Sequence, residues 1–231
     1  MLRILLWYYY AGDKMFEILY EDNHIIAVNK PVGMLSEDSD SPESLPSEIK
    51  KAKGITLYTL HRLDKPVGGV IIYAKTKKAA AAFSGLIAEN KLTKTYLAVV
   101  NGTLEENEGR MEDLLFKDSR KNKTFVVNRM RKGVKTASLR YRILGSENNL
   151  SLAEIELETG RSHQIRVQFA SRKHPLCGDG KYGSRDNKSN VALFSHKAEF
   201  IHPETKEKLC ITALPDYKEY PWCLFRTESE M

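Results

Sequence analysis

Residues 61–69 (HRLDKPVGG) place one carboxylate, that of Asp64, on an irregular segment directly before an apolar run. Irregular backbone held by a rigid scaffold is where catalytic side chains tend to lie. Pro66 fixes its own backbone angle and disfavours helix at Lys65, so we expect Asp64 in an extended or turning conformation, aimed outward. An aspartate in a loop more often forms a turn or caps a helix than it acts in catalysis, and this stretch alone favours the structural role.

A second polar group lies in residues 159–166 (TGRSHQIR), which follow an alternating strand pattern and hold two arginines, a histidine and an amide. Ser162 is expected to cap a short helix on which Ile165 and Phe169 share a face. Arg166 is adjacent to Ile165 and is expected to be drawn inward, where an arginine requires an anionic partner. Asp64 is the candidate partner.

The elements that must position these groups are predicted mainly as strands. Strand patterns lie within residues 16–28 (two strands), 70–74, 95–104, 137–144, 150–157, 193–201 and 208–213. Thr76 is expected to cap a helix that runs to about Lys91, and a shorter helix is expected near residues 45–49. Neighbouring strands with few intervening helices predict an α+β fold, a mixed, largely antiparallel sheet with flanking helices. Pro215 with Pro221 is expected to end the ordered part.

Positive charge is concentrated in residues 120–142, which hold nine lysines or arginines and no acidic residue. The whole chain has a net charge of +6, so the remainder has a net charge of −3. A local excess of this sign is typical of a protein that binds a polyanion. Residues 131–133 form a turn signal, and a two-stranded basic ribbon is predicted around them. A ribbon for RNA and a solvated hairpin both fit this charge run.

Other features narrow the class of protein. The 231 residues are enough for one sizeable core, and the three cysteines form no CxxC pair, which favours reduced thiols and a cytoplasmic location. The histidines are dispersed without metal-ligand spacing, so no metal is expected. Residues 1–15 begin with a short apolar run that is too short to span a membrane; an edge strand, a dangling terminus and an upstream start before Met15 all fit it.

The motifs together carry a resemblance. Residues 18–33, 61–76 (HRLDKPVGGVIIYAKT), 94–102 (KTYLAVVNG) and 159–183 (TGRSHQIRVQFASRKHPLCGDGKYG) resemble, in order, the successive motifs of the RluA family of RNA pseudouridine synthases. The resemblance spans about residues 16–216. It implies a pseudouridine synthase fold with an active-site cleft crossing the sheet. The expected division is an N-terminal extension at 1–15, a catalytic domain at 16–218 without the S4-type module of some relatives, and a C-terminal tail at 219–231.

The resemblance also implies roles for individual residues. Asp64 matches the essential aspartate, Arg166 the arginine that pairs with it, and Tyr96 the active-site tyrosine that lies against the flipped base and is implicated in proton removal. A nearby cation favours the ionised carboxylate. Arg62 matches the arginine that can fill the gap left in the RNA stack. The further expected substrate-binding residues are His61, Ile165, Leu193, Arg161, Lys30, Lys181, Arg129, Arg131 and Lys132. Relatives often have histidine where this chain has Gln168.

The expected activity is therefore the isomerisation of specific uridines in structured rRNA or tRNA to pseudouridine. The target base must be extruded from its helix to be reached. No cofactor is expected because substrate and product are isomers. RNA is the expected partner, no membrane is involved, and a monomer is expected. Two alternatives are a noncatalytic RNA-binding or assembly protein on the same fold, and a metal-dependent nucleic-acid enzyme such as a deaminase or nuclease.

Overall fold

A computed structural model describes residues 7–11, 14–41, 43–186 and 188–225. The strands are β1 Trp7–Ala11, β2 Lys14–Glu21, β3 Ile25–Lys30, β4 Tyr58–Thr59, β5 Gly68–Ala74, β6 Thr93–Asn101, β7 Glu108–Asp118, β8 Lys123–Val127, β9 Val134–Glu147, β10 Leu150–Leu157, β11 Leu193–Ile201 and β12 Lys208–Thr212. The helices are α1 Leu45–Lys53, α2 Lys77–Ala88 and α3 Gln164–Ser171, with short 3-10 helices at Gly180–Tyr182 and Trp222–Phe225. The predicted α+β class is confirmed.

The chain forms two compact units. Unit 1 comprises the described residues up to Lys94 together with Ser195–Leu214. Its strands follow the order β1, β2, β3, β5 and β11, with β4 beside β5 and β12 beside β11. Every residue of β5 is buried, which fits its continuous apolar run. Thr76 caps α2 as predicted, since its Oγ1 accepts a hydrogen bond from Ala79 N at 3.1 Å.

Unit 2 comprises Thr95–Phe194 and the described residues from Pro215 onward. Its strands follow the order β6, β10, β9, β7 and β8, and all of these neighbours run antiparallel. The core includes Leu139, Ala153, Ile155 and Phe169, all fully buried. α3 is buried along most of its length.

The basic ribbon predicted between residues 123 and 142 was wrong in its pairing. β8 and β9 do not pair with each other directly; β7 lies between them. Met111 and Leu115 of β7 are buried, but Asp113 stands between them and Leu114, Leu115 and Phe116 are consecutive, so the apolar/polar alternation typical of a strand is broken. The loop from β8 to β9 connects Val127, which pairs with Leu114 of β7, to Val134, which pairs with Phe116 of β7.

The structure also bears on the two ends of the described chain. β1 pairs with β2, so residues 7–11 form an edge strand, one of the three alternatives. Residues 1–6 and 12–13 lie outside the described residues. At the other end, Trp222 is buried in the 3-10 helix Trp222–Phe225, so the expectation that Pro221 ends the ordered part was wrong. The expected tail at 219–231 stays a prediction. No helix in the described ranges is long and apolar enough to cross a membrane.

Candidate active site

The loop that carries Asp64 is anchored at several backbone positions of unit 1. Buried Ser36 donates its hydroxyl to Leu63 O at 2.9 Å and accepts from Leu63 N at 3.0 Å. A turn is closed where Val67 N donates to Asp64 O at 2.9 Å. Asp64 itself is half-buried and is the first residue of this turn. The prediction of an extended or turning carboxylate on a rigid base is therefore confirmed.

Lys30 has a different role from the phosphate contact predicted for it. Its side chain is buried, with 1% of the residue exposed, and its ammonium donates to Met34 O at 2.7 Å, Pro31 O at 3.1 Å and Lys65 O at 3.3 Å. A buried lysine needs such oxygen partners because desolvation of its charge is costly. Lys30 thus ties the end of β3 to the Asp64 loop and does not reach a surface phosphate.

Close backbone approach explains the glycines after Asp64. Gly69 has φ +108°, and a Cβ atom there would overlap the backbone of Ser195. Ser195 Oγ also donates to Val70 O at 2.9 Å. Only glycine allows β11 to come this near at that backbone angle. The chain therefore makes a close backbone approach at Gly69, and the partner is Ser195.

His61 serves the loop rather than the surface. Its Nε2 accepts from Ile72 N at 3.1 Å, so the proton of the neutral ring is on Nδ1, which is buried and has no hydrogen-bond partner in the described part of the chain. Burial lowers the pKa of His61 to about 3, and the charge of Lys94 adds to that decrease. His61 is therefore neutral at pH 7 and fastens the loop to β5, while its predicted substrate contact stays a prediction.

Arg62 lies at the surface beside Asp64. Its Nη1 forms an ion pair with Glu37 Oε1 at 3.1 Å, and both side chains are more than half exposed. Exposed pairs of this kind contribute about 0 to 1 kcal/mol. The guanidinium can therefore exchange this partner for another at little cost.

In unit 2, Arg166 is buried as predicted, and the structure gives it an anionic partner that the sequence did not indicate. Its Nε donates to Asp179 Oδ2 at 2.7 Å and its Nη2 to Asp179 Oδ1 at 2.8 Å. The two side chains are only 5% and 1% exposed. This two-point pairing holds the guanidinium plane in one orientation. The predicted pairing of Arg166 with Asp64 stays a prediction.

Tyr182 is the second support of Arg166. The Arg166 guanidinium lies over the Tyr182 ring, 5.2 Å from its centroid. The Tyr182 hydroxyl accepts from Thr124 N at 2.9 Å and is 2.8 Å from His163 Nδ1. Lys123 Nζ lies 5.1 Å from the same ring. Tyr182 therefore links β8, the start of α3 and the buried arginine, and burial raises the pKa of its hydroxyl.

The start of α3 differs from the predicted serine cap. The cap position is His163, in left-handed backbone with φ 54° and no capping side-chain bond. Gln164 closes the turn instead, because its Oε1 accepts from Arg161 N at 3.0 Å and from Thr159 Oγ1 at 2.8 Å. Further along, Gln168 is buried and donates to Asp113 Oδ2 at 2.7 Å.

Three residues that are expected to contact the substrate, Tyr96, Ile165 and Leu193, are buried in unit 2. Tyr96 lies in β6 opposite Ile155 of β10, and Ile165 lies on α3 with Phe169. Leu193 is the first residue of β11 and is buried. Their roles toward a base, like the predicted cleft, stay predictions.

Comparisons with known proteins assign the family. A family model described as RNA pseudouridylate synthase matches residues 24–171. The dual-specificity RNA pseudouridine synthase RluA of Yersinia pestis is 33% identical over 198 residues, which cover 81% of this chain and 93% of that protein. The chain belongs to the RluA family of RNA pseudouridine synthases. It is an isomerase that converts uridine in RNA to pseudouridine.

Other relatives agree. The uncharacterized RNA pseudouridine synthase YhcT of Bacillus subtilis (strain 168) is 34% identical over 207 residues, or 85% of this chain and 68% of that protein. The tRNA pseudouridine synthase C of Vibrio cholerae is 30% identical over 223 residues, or 86% of this chain and 91% of that protein. The solved structure of human RNA Pseudouridylate Synthase Domain Containing 4 has the same fold, with a TM-score of 0.71 at 24% identity over 87% of this chain and 89% of that one.

The basic stretch of this family member divides into two parts. Arg140 pairs with Glu158 at 2.8 Å and Arg142 with Glu154 at 3.0 Å, and hydrogen bonds from Arg110 and Arg140 lower the pKa of Glu158 to about 2. The other seven cations have no acidic partner among the described residues; they are Arg120, Lys121, Lys123, Arg129, Arg131, Lys132 and Lys135. We call these seven residues the open basic surface. The positive field belongs to them rather than to all nine.

Arg161 and Lys181, two further residues that are predicted to contact phosphates, donate hydrogen bonds to backbone oxygens of unit 2. Arg161 Nε donates to Thr136 O at 2.9 Å, and Lys181 Nζ donates to Asn122 O at 3.1 Å. Lys181 is exposed and Arg161 is half-buried. Carbonyl oxygens are neutral, so both residues keep their full positive charge.

Sequence reasoning missed Asp179 and Tyr182 as members of the site. Both lie in residues 178–183 (GDGKYG), at the end of the last of the four family motifs. Gly178 has φ +74°, and a Cβ atom there would overlap the backbone of Asn190. A loop packed this tightly buries its aspartate, so the closely spaced glycines were the available signal.

Proposed function

We propose that the chain isomerises one or a few uridines in structured rRNA or tRNA, with Asp64 as the essential carboxylate. In the reaction the N1–C1′ bond breaks, the C5–C1′ bond forms, C5 loses its proton and N1 gains one. The observation that carries this proposal is the placement of Asp64, half-buried on a loop anchored by Ser36 and Lys30. A carboxylate held this way loses little conformational freedom when it acts. All three proposed catalytic residues lie inside the range that the family model matches.

Arg166 and Tyr96 have distinct proposed roles. Arg166 supplies a fixed positive charge that favours the ionised form of the catalytic aspartate, which its two-point pairing with Asp179 supports because the guanidinium cannot rotate away. Tyr96 lies against the flipped uracil and takes part in removal of the C5 proton. Ile165 and Leu193 form the apolar wall of the pocket, which their burial supports.

RNA recognition is assigned to exposed groups. Arg62 fills the gap that the flipped nucleotide leaves in the stack, which its weak ion pair with Glu37 supports. Arg129, Arg131 and Lys132 contact phosphates, as do Arg161 and Lys181. His61 contributes by fixing the shape of the Asp64 loop.

The target class follows from the names of the relatives. One is a tRNA pseudouridine synthase, another is a ribosomal large subunit pseudouridine synthase of Buchnera aphidicola, and a third is dual-specific. We propose that this chain acts in the same two classes of RNA, as a monomer in the cytoplasm, without metal or cofactor. In the described ranges no three His, Cys, Asp or Glu side chains are grouped so that they could hold a metal ion.

The test of the catalytic assignment is pseudouridine mapping. Total RNA is incubated with purified wild type or with Asp64→Asn, which keeps the size of the side chain and removes its charge. We expect new pseudouridine sites with wild type, none with the variant, and equal RNA binding by both. New sites made by Asp64→Asn would contradict the role of Asp64. Absence of new sites with wild type would contradict the proposed targets and favour a noncatalytic RNA-binding protein.

The open basic surface is tested by the salt dependence of RNA binding. Replacing Arg129, Arg131 and Lys132 by glutamine should reduce the slope of log K against log salt by about 0.7 to 0.9 for each phosphate that the variant no longer neutralises. The matched control replaces Arg140 and Arg142, whose charges are already compensated by glutamates. Equal slopes for the triple variant and wild type would show that these side chains only face water.

A further inference from the structure

Met130 is an apolar side chain left in the open. It lies in residues 128–133 (NRMRKG), the loop between β8 and β9, and it is 57% exposed. Large apolar side chains exposed to this degree are common on protein surfaces when they stand alone. This one stands between Arg129 and Arg131 in the sequence, in a loop that carries three residues of the open basic surface.

The positive charges that flank Met130 determine which kind of partner can bind over it. Arg129, Arg131 and Lys132 are exposed and have no acidic partner among the described residues. An apolar protein partner would have to bury these cations without compensation, which is strongly unfavourable. A polyanion compensates them with its phosphates and can offer the apolar face of a base to the methionine.

The loop is held in shape. Val134 N donates to Arg131 O at 3.0 Å, and Gly133 adopts φ +83° to close the turn. The Arg131 guanidinium lies over the ring of Phe116, 5.0 Å from its centroid. A loop anchored in this way presents Met130 without much loss of backbone freedom on binding.

We infer that Met130 packs against an unstacked base of the RNA substrate while Arg129 and Lys132 contact the flanking phosphates. A thioether is flexible and polarisable, so it accommodates a base face without reading its hydrogen-bonding edge. Met130 is therefore a contact that favours locally opened RNA over continuous duplex. This inference rests on the proposed function, since it assumes RNA as the occupant.

The first experiment measures RNA binding by Met130→Ala at two salt concentrations. We expect affinity for a structured RNA with an unpaired loop to fall roughly fivefold to tenfold, with the salt slope unchanged because the variant neutralises the same phosphates as wild type. The matched control is Leu144→Ala, at a side chain 46% exposed on β9, next to the compensated Arg142. Unchanged affinity in Met130→Ala, an equal loss in Leu144→Ala, or a changed salt slope would each overturn the inference.

The second experiment places a reporter at the same position. Met130→Trp should show fluorescence quenching on addition of the looped RNA, through stacking on a base, and Leu144→Trp should not. Equal quenching at both positions, or none at position 130, would overturn the inference. Pseudouridine formation by wild type is measured on the same RNA. Activity of wild type with no effect of position 130 refutes only this inference, whereas absence of pseudouridine refutes the proposed function.

Discussion

Replacing Asp179 by asparagine removes the carboxylate that accepts two hydrogen bonds from Arg166 and leaves the side chain almost unchanged in size. The carboxylate accepts two hydrogen bonds, at 2.7 and 2.8 Å, from a guanidinium in a site that is nearly closed to solvent. In Asp179→Asn one acceptor becomes an amide donor that faces a guanidinium donor. The arginine keeps its proton because its pKa is too high for deprotonation. The folded state must then hold a buried cation with a weakened partner.

The expected destabilisation is about 3 to 5 kcal/mol, the range for breaking a buried ion pair on one side. The free energy of unfolding of natural proteins is about 5 to 15 kcal/mol, so this loss would be a large part of the total. The control is Glu154→Gln, which breaks the pair with Arg142 at 3.0 Å on the surface of the same unit. Its expected cost is below about 1 kcal/mol, because water screens that pair.

Urea unfolding at pH 7, followed by tryptophan fluorescence, measures both variants against wild type. A cost for Asp179→Asn no greater than that for Glu154→Gln would refute the reasoning and show that other groups compensate Arg166 fully. If Asp179→Asn does not fold, the double variant Asp179→Asn, Arg166→Met decides the question. Removing both charges should restore a folded protein, since a buried pair can be replaced by apolar side chains. Failure of the double variant to fold would contradict the charge argument.

Three other variants test the supports of the site. In wild type the pKa of His61 is lowered to about 3 in the folded state, so the unfolded chain binds a proton first as pH falls, and the free energy of unfolding should decrease by about 2 kcal/mol between pH 7 and pH 5. In His61→Gln this decrease should be absent. Urea unfolding measures it, and the same pH profile in the variant and wild type would contradict the prediction. Gly69→Ala should lower the free energy of unfolding by about 3 kcal/mol, because its Cβ atom would overlap the Ser195 backbone at a positive φ. Gly85→Ala has open space around it and should be neutral or stabilising. Thermal unfolding compares the two variants, and similar midpoints for both would contradict the close packing at Gly69. Tyr182→Phe should cost about 1 to 3 kcal/mol by leaving a buried amide without its acceptor, while the ring stays over Arg166; a loss below about 0.5 kcal/mol would show that the hydroxyl is dispensable.

Much of the fold was predictable because its strands carry strong local patterns. The predicted strand Leu150–Leu157 has the bounds of β10, and residues 193–201 have those of β11. The start of α2 was predicted from the capping residue Thr76. β7 was missed because its polar positions, including Arg110 and Glu112, dilute the strand signal on the side that faces solvent.

The site was predictable in its residue types and less so in its connections. Asp64 and Arg166 were predicted as site residues from loop chemistry and from family motifs; of this, the inward position of Arg166 is confirmed. Asp179 was missed because a charge partner is chosen by tertiary packing, and no sequence spacing relates two residues on different elements. Lys30 was misassigned since a lysine beside a proline turn is normally exposed, and only the fold shows that three carbonyl oxygens surround it.

Unit 1 is discontinuous, since the 100 residues Thr95–Phe194 are inserted between its two parts. β5, which follows the Asp64 loop directly, has β11 as a neighbour, and Ser195 is bonded to it. A ribosome delivers residues in order, so the nascent chain completes unit 2 almost entirely before the last strands of unit 1 emerge. Maturation of the aspartate loop is thereby postponed to the end of translation, and a chain truncated before residue 195 is expected to be inactive even where its first 94 residues are intact.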